Sequence, residues 1–320
     1  MAAAGCARGT ITASTSDSSA HVANGMTFVD LPSGDLTRWP GAIVLGPDGK
    51  LWFTELHGRR IGRIDAAGRI SEFVIPDPLA KPGAIVSGPD AALWFSVPNR
   101  HGLGRLTTSG RFSFASLRAP GAAGEARPVA LAVGPDRKLW FTEPFAHRIG
   151  RLDASGRARE FPLPDRTWVP IQITNGPDGA LWFTGRDGRI GRITTAGVVR
   201  RFDVPGSYGT DLFGIVTGSD RKVWFTETNR RRIGRLGASG ALAEFAVPRG
   251  YPGAIAAGPN GALWFTTIVP STISRVTTAG RITQFDLPSG YDKPGGITEG
   301  PDGALWFTVY TNDLIGRLAP

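Results

Sequence analysis

The chain has 320 residues, of which 41% are hydrophobic and 20% are charged, and its net charge at pH 7 is +9. So large an apolar fraction excludes a disordered chain, and no segment approaches the roughly 18 consecutive apolar residues of a transmembrane helix. The single cysteine, Cys6, excludes an internal disulfide and a zinc site made of paired cysteines.

The N-terminal segment differs in composition from the rest of the chain. Residues 1–25 are poor in large apolar residues and rich in Ala, Ser, Thr and Gly, which predicts a disordered tail or a processed tether segment. Ala-Ala-Gly-Cys at 3–6 resembles the end of a bacterial lipoprotein signal, in which the cysteine carries the lipid. If Cys6 belongs to such a signal, the protein is secreted or lipid-tethered at the cell envelope; otherwise we expect it in the cytoplasm.

From residue 40 onward the chain repeats itself. A Trp-Phe pair followed by Thr or Ser recurs every 40–46 residues, and its tryptophans are Trp52, Trp94, Trp140, Trp182, Trp224, Trp264 and Trp306. Each unit reads as four short strands separated by turns such as Gly-Pro-Asp-Gly, and no segment has a persuasive helical period. Seven such units predict an all-β fold, a single seven-bladed β-propeller with four-stranded antiparallel blades over residues 26–320. We interpret the Trp-Phe pairs as packing between blades.

The two ends of the propeller predict how the ring closes. The last unit ends after its third strand, whereas residues 26–32 (Met-Thr-Phe-Val-Asp-Leu-Pro) look like a fourth strand with no unit before it. We therefore expect residues 26–32 to pair with the final blade, which removes an exposed sheet edge.

The basic residues follow the repeat as well. A basic surplus is typical of nucleic-acid-binding proteins. Here one arginine recurs in the third strand of every unit, at Arg63, Arg105, Arg151, Arg192, Arg235, Arg275 and Arg317. We interpret these arginines as framework and expect no nucleic-acid partner.

Function is expected where the units differ, on the face that carries the loops between blades and between second and third strands. The residue after Trp-Phe-Thr is Glu55, Glu143 or Glu227 in units one, three and five, and His57, His101 and His147 follow in loops of that face. The pairs Glu143–His147 and Glu55–His57 are candidates for acid–base catalysis, with Glu227 as a further carboxylate. The alternative is that each glutamate forms a surface ion pair with a nearby arginine, such as Glu143 with Arg148.

Aromatic and charged residues of the same loops are the candidate ligand contacts. A face with several such rings around a central channel suits a small or medium organic ligand. The candidates for ligand binding are Trp39, Trp168, Tyr208, Phe213, Tyr251, Tyr291, Lys293 and Tyr310, and Lys81, Glu125, Asp211 and Asp292 lie in the same loops.

The repeat resembles that of a known family. Gly-Pro-Asp-Gly-Ala-Leu-Trp-Phe-Thr, Ile-Gly-Arg-Ile-Thr and Glu-Phe-x-Leu-Pro are similar to the motifs of the streptogramin B lyase (virginiamycin B lyase) family over residues 26–320. The resemblance implies a seven-bladed propeller that opens a cyclic depsipeptide by elimination. A histidine general base and magnesium carry out that reaction, so magnesium is the cofactor that the resemblance implies, with no certain metal ligands in this chain.

The catalytic positions of that family are not matched in this sequence. They correspond to Gly41, Gly83, Val129, Ile171, Phe213, Gly253 and Gly295, and the expected glutamates fall on Lys293 and near Val309. We therefore expect a monomeric propeller that binds a small molecule or peptide on its loop face. A magnesium-assisted carbon–oxygen lyase with a relocated Glu/His set and a protein-interaction scaffold are the alternatives.

Overall fold

The computed structural model describes residues 19–32, 38–117, 126–153, 155–207 and 212–320, together with the backbone of residues 14–16. Cys6, Glu125, Tyr208 and Asp211 lie outside the described residues, so the predictions made for them stay predictions. No helix in these ranges is long and apolar enough to cross a membrane.

The described chain forms seven antiparallel sheets arranged as the blades of a ring. Three strands precede the repeat: β1 (Ser14–Ser16), β2 (Ala20–Ala23) and β3 (Met26–Asp30). The blades follow in chain order, each given from its innermost strand outward. Blade 1 is β4 (Pro40–Leu45), β5 (Leu51–Glu55), β6 (Arg60–Ile64) and β7 (Ile70–Val74); blade 2 is β8 (Ile85–Ser87), β9 (Ala92–Val97), β10 (Gly102–Thr107) and β11 (Phe112–Ser116); blade 3 is β12 (Leu131–Val133), β13 (Leu139–Glu143), β14 (Arg148–Leu152) and β15 (Ala158–Pro162); blade 4 is β16 (Pro170–Asn175), β17 (Leu181–Gly185), β18 (Arg189–Ile193) and β19 (Val199–Asp203).

The remaining blades have the same order. Blade 5 is β20 (Leu212–Thr217), β21 (Val223–Glu227), β22 (Arg232–Leu236) and β23 (Leu242–Ala246); blade 6 is β24 (Tyr251–Ala257), β25 (Leu263–Ile268), β26 (Thr272–Val276) and β27 (Ile282–Asp286); blade 7 is β28 (Pro294–Glu299), β29 (Leu305–Val309), β30 (Leu314–Leu318) and β3. The helical elements of the described chain are short 3₁₀ turns at Pro98–Arg100, Pro144–Ala146 and Pro259–Gly261. The predicted all-β, seven-bladed architecture is confirmed.

The N-terminal strand closes the ring as predicted. Strand β3 pairs antiparallel with β30, with Met26 opposite Leu318 and Asp30 opposite Leu314. The Leu31 amide then donates to the Asp313 carbonyl at 2.9 Å. The last blade therefore takes its outer strand from the opposite end of the chain.

Part of the segment predicted as a tail is strand instead. Strand β2 pairs with β3 and extends blade 7, and β1 pairs with β7 and extends blade 1. The outermost strand of a sheet leaves backbone N–H and C=O groups free, and pairing with them requires no apolar side chains. The polar composition of residues 14–23 therefore does not prevent them from joining the two sheets.

The repeated tryptophans lie between neighbouring blades, as predicted. Trp52 of blade 1 is fully buried and belongs to one apolar cluster with Leu93 and Phe95 of blade 2. In six blades the indole N–H also donates to the aspartate of the Gly-Pro-Asp or equivalent turn at 2.9–3.0 Å, so this aspartate does more than form the turn. The same aspartate binds the arginine of the third strand, as in Arg317–Asp302 at 2.7 Å, which is the framework role predicted for that arginine.

In six of the seven blades, the Thr or Ser after the Trp-Phe pair joins one blade to the next. The Thr184 hydroxyl accepts a hydrogen bond from the Gln172 amide of its own blade at 3.1 Å and donates to the Phe213 carbonyl of the next blade at 2.9 Å. Ser96, Thr142, Thr226, Thr266 and Thr308 donate across the blade boundary in the same way. These bonds fix the first residues of the innermost strands around the channel.

Candidate functional site

The loop face is formed by the loops between the second and third strands of each blade and by the loops that connect successive blades. In blade 1 these are residues 56–59 and 75–84. The candidate residues that the structure describes belong to this face or to the strand ends directly below it. Their burial and their partners decide which of them a ligand can reach.

Glu55 is buried inside blade 1 and is held by an arginine. The Arg38 Nη1 lies 3.3 Å from Glu55 Oε2 and 2.9 Å from Glu72 Oε1. Burial, and then the negative charge of Glu72, raise the pKa of Glu55 from 4.5 to about 8, although Arg38 acts in the opposite direction. Glu55 is therefore an enclosed carboxyl group that does not line the loop face.

Glu143 and Glu227 repeat this arrangement in blades 3 and 5. Arg148 Nε contacts Glu143 Oε2 at 2.5 Å, and burial raises the pKa of Glu143. Glu227 accepts hydrogen bonds from Arg230 Nη1 at 3.0 Å and from the Ser207 hydroxyl at 3.1 Å. Burial, and then the nearby Glu244, raise the pKa of Glu227 to about 7. The alternative of glutamate–arginine ion pairs thus describes the contacts, with one correction: these pairs are buried and not on the surface.

His101 and His147 tie neighbouring blades together. Each occupies the left-handed position of its loop, and each Nδ1 lies against a backbone carbonyl of the next inter-blade loop, Ala126 at 3.0 Å and Trp168 at 3.3 Å. The same loop position makes an equivalent crossing in blades 1, 5, 6 and 7, through Arg59, Arg231, Ser271 and Asp313. Because six blades share a contact from this loop position to the next inter-blade loop, we interpret the contact as structural. His101 and His147 therefore hold the neighbouring loops in place.

The structure does not bring the predicted Glu–His pairs together. Within the described residues, no hydrogen bond or ion pair joins Glu55 to His57 or Glu143 to His147. Glu55 faces Arg38, whereas the His57 ring packs at a tilt against Trp39, with ring centroids 4.3 Å apart and an interplanar angle of 33°. Arginines contact the two carboxylates instead, and the catalytic role predicted for these residues stays a prediction.

Trp168, predicted as a ligand contact, is a core residue. Its side chain is only 1% exposed and packs on Phe183 with ring centroids 5.1 Å apart. The indole fills the space above Gly185, where a Cβ atom would lie 2.4 Å from Nε1. Blade 4 has glycine where blades 1, 3 and 5 have glutamate, and the tryptophan occupies the space that this side chain leaves.

Two predicted tyrosine contacts, Tyr251 and Tyr291, are less exposed than the predicted contact Lys293. Tyr291 is half-buried, packs edge-on against Phe28 with ring centroids 4.8 Å apart, and its hydroxyl hydrogen-bonds to His21 at 2.5 Å. Tyr251 is half-buried beneath the Arg231 guanidinium, which lies 4.7 Å from the ring centroid. Lys293 is exposed.

One repeat position, near the start of each innermost strand, corresponds to the catalytic position of the lyases that the sequence resembles. In this chain it carries no titratable side chain in any blade: the residues are Gly41, Gly83, Val129, Ile171, Phe213, Gly253 and Gly295. In blade 7 this residue is Gly295, and a Cβ atom there would lie 2.6 Å from Tyr310 Cε2. Tyr310 therefore covers the place where a larger side chain would stand, and burial raises the pKa of its hydroxyl. Phe213, at the same position in blade 5, is the most open of the set, with 40% of its surface exposed.

The residues of the loop face do not fit a magnesium ion at the positions that the resemblance implies. Val309 is a fully buried apolar side chain, and Lys293 supplies a cation where an acid would be required. The described residues contain no cluster of three or more His, Cys, Asp or Glu side chains that could hold a metal.

Among the predicted ligand contacts that the structure describes, Trp39 has the most exposed aromatic ring. Its backbone has φ +53°, a strained conformation for a residue with a side chain, and 43% of its surface is exposed. The Trp39 amide donates to Asp313 Oδ1 at 2.8 Å, and the Trp39 carbonyl accepts from the Leu56 amide at 3.1 Å. Strain of this kind persists where the surroundings enforce it, and it is common at functional sites. We call the packed pair of Trp39 and His57 the aromatic platform.

A pocket of about 350 Å³ opens next to the platform, between blades 1 and 2. Its lining combines cations with apolar side chains: His57, Arg59, Pro78, Leu79, Lys81, Asn99 and Arg100. A larger cavity of about 580 Å³, beside β11 on the turn-bearing side, is lined partly by the framework pair Asp90–Arg105 and by Asp136. His57 and Lys81 were both predicted for the loop face, but the sequence does not indicate that they line one pocket.

The comparisons with known proteins agree with the fold. The profile of the Virginiamycin B lyase family matches residues 19–186 and 122–320. Virginiamycin B lyase from Staphylococcus aureus is 32% identical, with a TM-score of 0.83 over 91% of this chain and 98% of that chain. A streptogramin B lyase structure is also 32% identical, with a TM-score of 0.84 over 91% of this chain and 97% of that chain.

A third similar structure holds a ligand. It is a catalytically inactive histidine-to-alanine variant of the Staphylococcus aureus enzyme with quinupristin, 32% identical, with a TM-score of 0.83 over 91% of this chain and 98% of that chain. A search of the curated proteins finds no similar sequence. The profile covers nearly all of the chain, and both solved lyases align with it almost end to end. The chain therefore belongs to the virginiamycin B lyase family.

Proposed function

We propose that this propeller binds a ring-bearing small molecule or cyclic peptide on its loop face without opening it. The observation that carries the proposal is Trp39, an exposed indole that Asp313 and Leu56 hold in a strained backbone conformation and that packs against His57. Exposing a large aromatic ring in a fixed orientation has no benefit for the stability of the fold. It does provide a flat apolar surface on which the ring of a ligand can stack.

The candidate catalytic groups support binding over elimination. Elimination requires a base within hydrogen-bond reach of the proton that it removes. Glu55, Glu143 and Glu227 are fully buried and bound by arginines, and His101 and His147 hold neighbouring loops. The remaining histidine of the predicted set, His57, lies in the platform.

One observation favours the alternative of a magnesium-assisted lyase with a relocated Glu/His set. The raised pKa values of Glu55 and Glu227, about 8 and about 7, lie in the range of general acids and bases at neutral pH. A buried carboxylate would act only if its arginine moved away. Magnesium-dependent ring opening that is lost in Glu143→Gln would favour this alternative.

Isothermal titration calorimetry with quinupristin, the ligand of the similar inactive lyase, tests the proposal. We expect binding to the unmodified protein and at least a tenfold weaker affinity in Trp39→Ala, a loss of about 1.4 kcal/mol. Phe114→Ala is the matched control, because Phe114 is 45% exposed and lies on the outer strand β11, away from the loop face. No binding at millimolar quinupristin, or equal affinity of Trp39→Ala and the unmodified protein, would contradict the proposal.

A further inference from the structure

We propose that the pocket between blades 1 and 2 binds the carboxylate of a small aromatic acid whose ring rests against the aromatic platform. The pocket shares His57 with the platform, which makes it a charged extension of that site. The inference rests on the proposed function, since it specifies the chemical class of the ligand that the platform takes. We call this site the cationic pocket, formed by His57, Arg59, Pro78, Leu79, Lys81, Asn99 and Arg100.

The charge of the cationic pocket is unbalanced. Arg59, Lys81 and Arg100 contribute three positive charges, and the neighbouring Asp77 neutralises one of them through Arg100, with Nε and Oδ2 at 2.6 Å. Among the described residues no carboxylate lies within ion-pair distance of Lys81 or Arg59. Two cations beside one opening attract an anion, and a charge-assisted hydrogen bond to a carboxylate is about twice as strong as a neutral one.

The loop that carries Lys81 is fixed before any ligand arrives. The Asn99 side chain accepts a hydrogen bond from the Lys81 amide at 3.0 Å and donates one to the Leu79 carbonyl at 2.5 Å. From the other side, Arg59 Nη1 donates to the Pro78 carbonyl at 2.8 Å. Because the backbone of both walls is already held, little ordering free energy remains to be lost when a ligand binds.

The size and the apolar wall limit the ligand. A volume of about 350 Å³ lies at the lower end of the range for small-molecule sites, which excludes an extended peptide. Leu79 is 63% exposed at the rim, and Pro78 adds a second apolar surface. An inorganic anion would leave these surfaces in water, whereas a flat aromatic acid covers them and reaches the cations.

Calorimetric titration with 2-naphthoate, its uncharged analogue 2-naphthamide and inorganic phosphate tests the proposal. At low salt, about 50 mM, we expect naphthoate to bind about tenfold more tightly than naphthamide or phosphate, and the difference to shrink as salt is raised. Lys81→Gln should remove most of this preference. Lys50→Gln is the control, because it removes the same charge from the opposite, turn-bearing side of blade 1.

Equal affinity for naphthoate and naphthamide would overturn the inference, as would equal effects of Lys81→Gln and Lys50→Gln. Phosphate binding as tightly as naphthoate would overturn the part that assigns a ring. The proposed function fails separately, since quinupristin binding that depends on Trp39 but not on Lys81 would leave that proposal intact.

Discussion

Because the N-terminal strand β3 closes the ring, deleting it should lower the free energy of unfolding by an amount that can be estimated from the side chains that it buries. Deleting residues 1–31 removes β3, and with it the four buried side chains of Met26, Phe28, Val29 and Leu31. At about 1.5–3 kcal/mol for each buried side chain, the loss is roughly 6–12 kcal/mol, which is comparable to the total stability of most domains. Deleting residues 1–18 removes β1 and leaves β3 paired with β30.

Thermal unfolding followed by circular dichroism compares the two truncations. For the shorter deletion we expect a small decrease in Tm, because β1 pairs with the rest of the chain through three residues only. For the longer deletion we expect a decrease of at least about 12 °C or no folded protein, at roughly 2–4 °C for each kcal/mol. Equal melting temperatures of the two truncations would show that β3 does not carry the closure.

Three further changes test the interior of the blades. Because folding raises the pKa of Glu55 from 4.5 to about 8, the folded state loses stability as the pH rises between these values. Glu55→Gln should therefore gain stability relative to the unmodified protein as the pH is raised from 5 to 8. A difference in Tm between the two proteins that does not change with pH would contradict this. Gly191→Ala places a Cβ atom 2.0 Å from the phenylalanine ring of the adjacent strand and should cost about 1–3 kcal/mol in urea unfolding, whereas Gly237→Ala, with no atom closer than 3.8 Å, should change stability by less than about 0.5 kcal/mol. Thr184→Val leaves an amide and a carbonyl at a blade boundary without their partner and should cost about 1–3 kcal/mol, while an unchanged midpoint of unfolding would show that these bonds do not hold the blades together.

The fold could be predicted from the sequence because the strand pattern of one blade occurs seven times. Seven copies of one strand pattern determine the number of blades, and the unmatched segment at 26–32 matches the missing strand of the last copy. Strands β1 and β2 could not be found in this way. They join sheet edges through backbone groups, and no apolar pattern accompanies such pairing.

The candidate site could be predicted only in part, because burial depends on residues far apart in the chain. The position of Glu55 at the end of a strand is readable from the sequence, but its enclosure depends on Arg38 from the preceding loop. Trp168 is buried because Gly185, 17 residues away, leaves room for its ring. The role of His147 was readable in principle, since the same position of other units carries residues as different as arginine and aspartate, which argues against a catalytic histidine.

Recovery of intact quinupristin after incubation with this protein and magnesium tests the central claim most directly. Ring opening by elimination leaves the mass unchanged, so the cyclic and linear isomers are separated by liquid chromatography and identified by their fragments. A protein that binds the compound with Trp39 and does not open its ring should return the cyclic compound quantitatively. A linear product that accumulates with magnesium and stops forming when magnesium is chelated would contradict that claim.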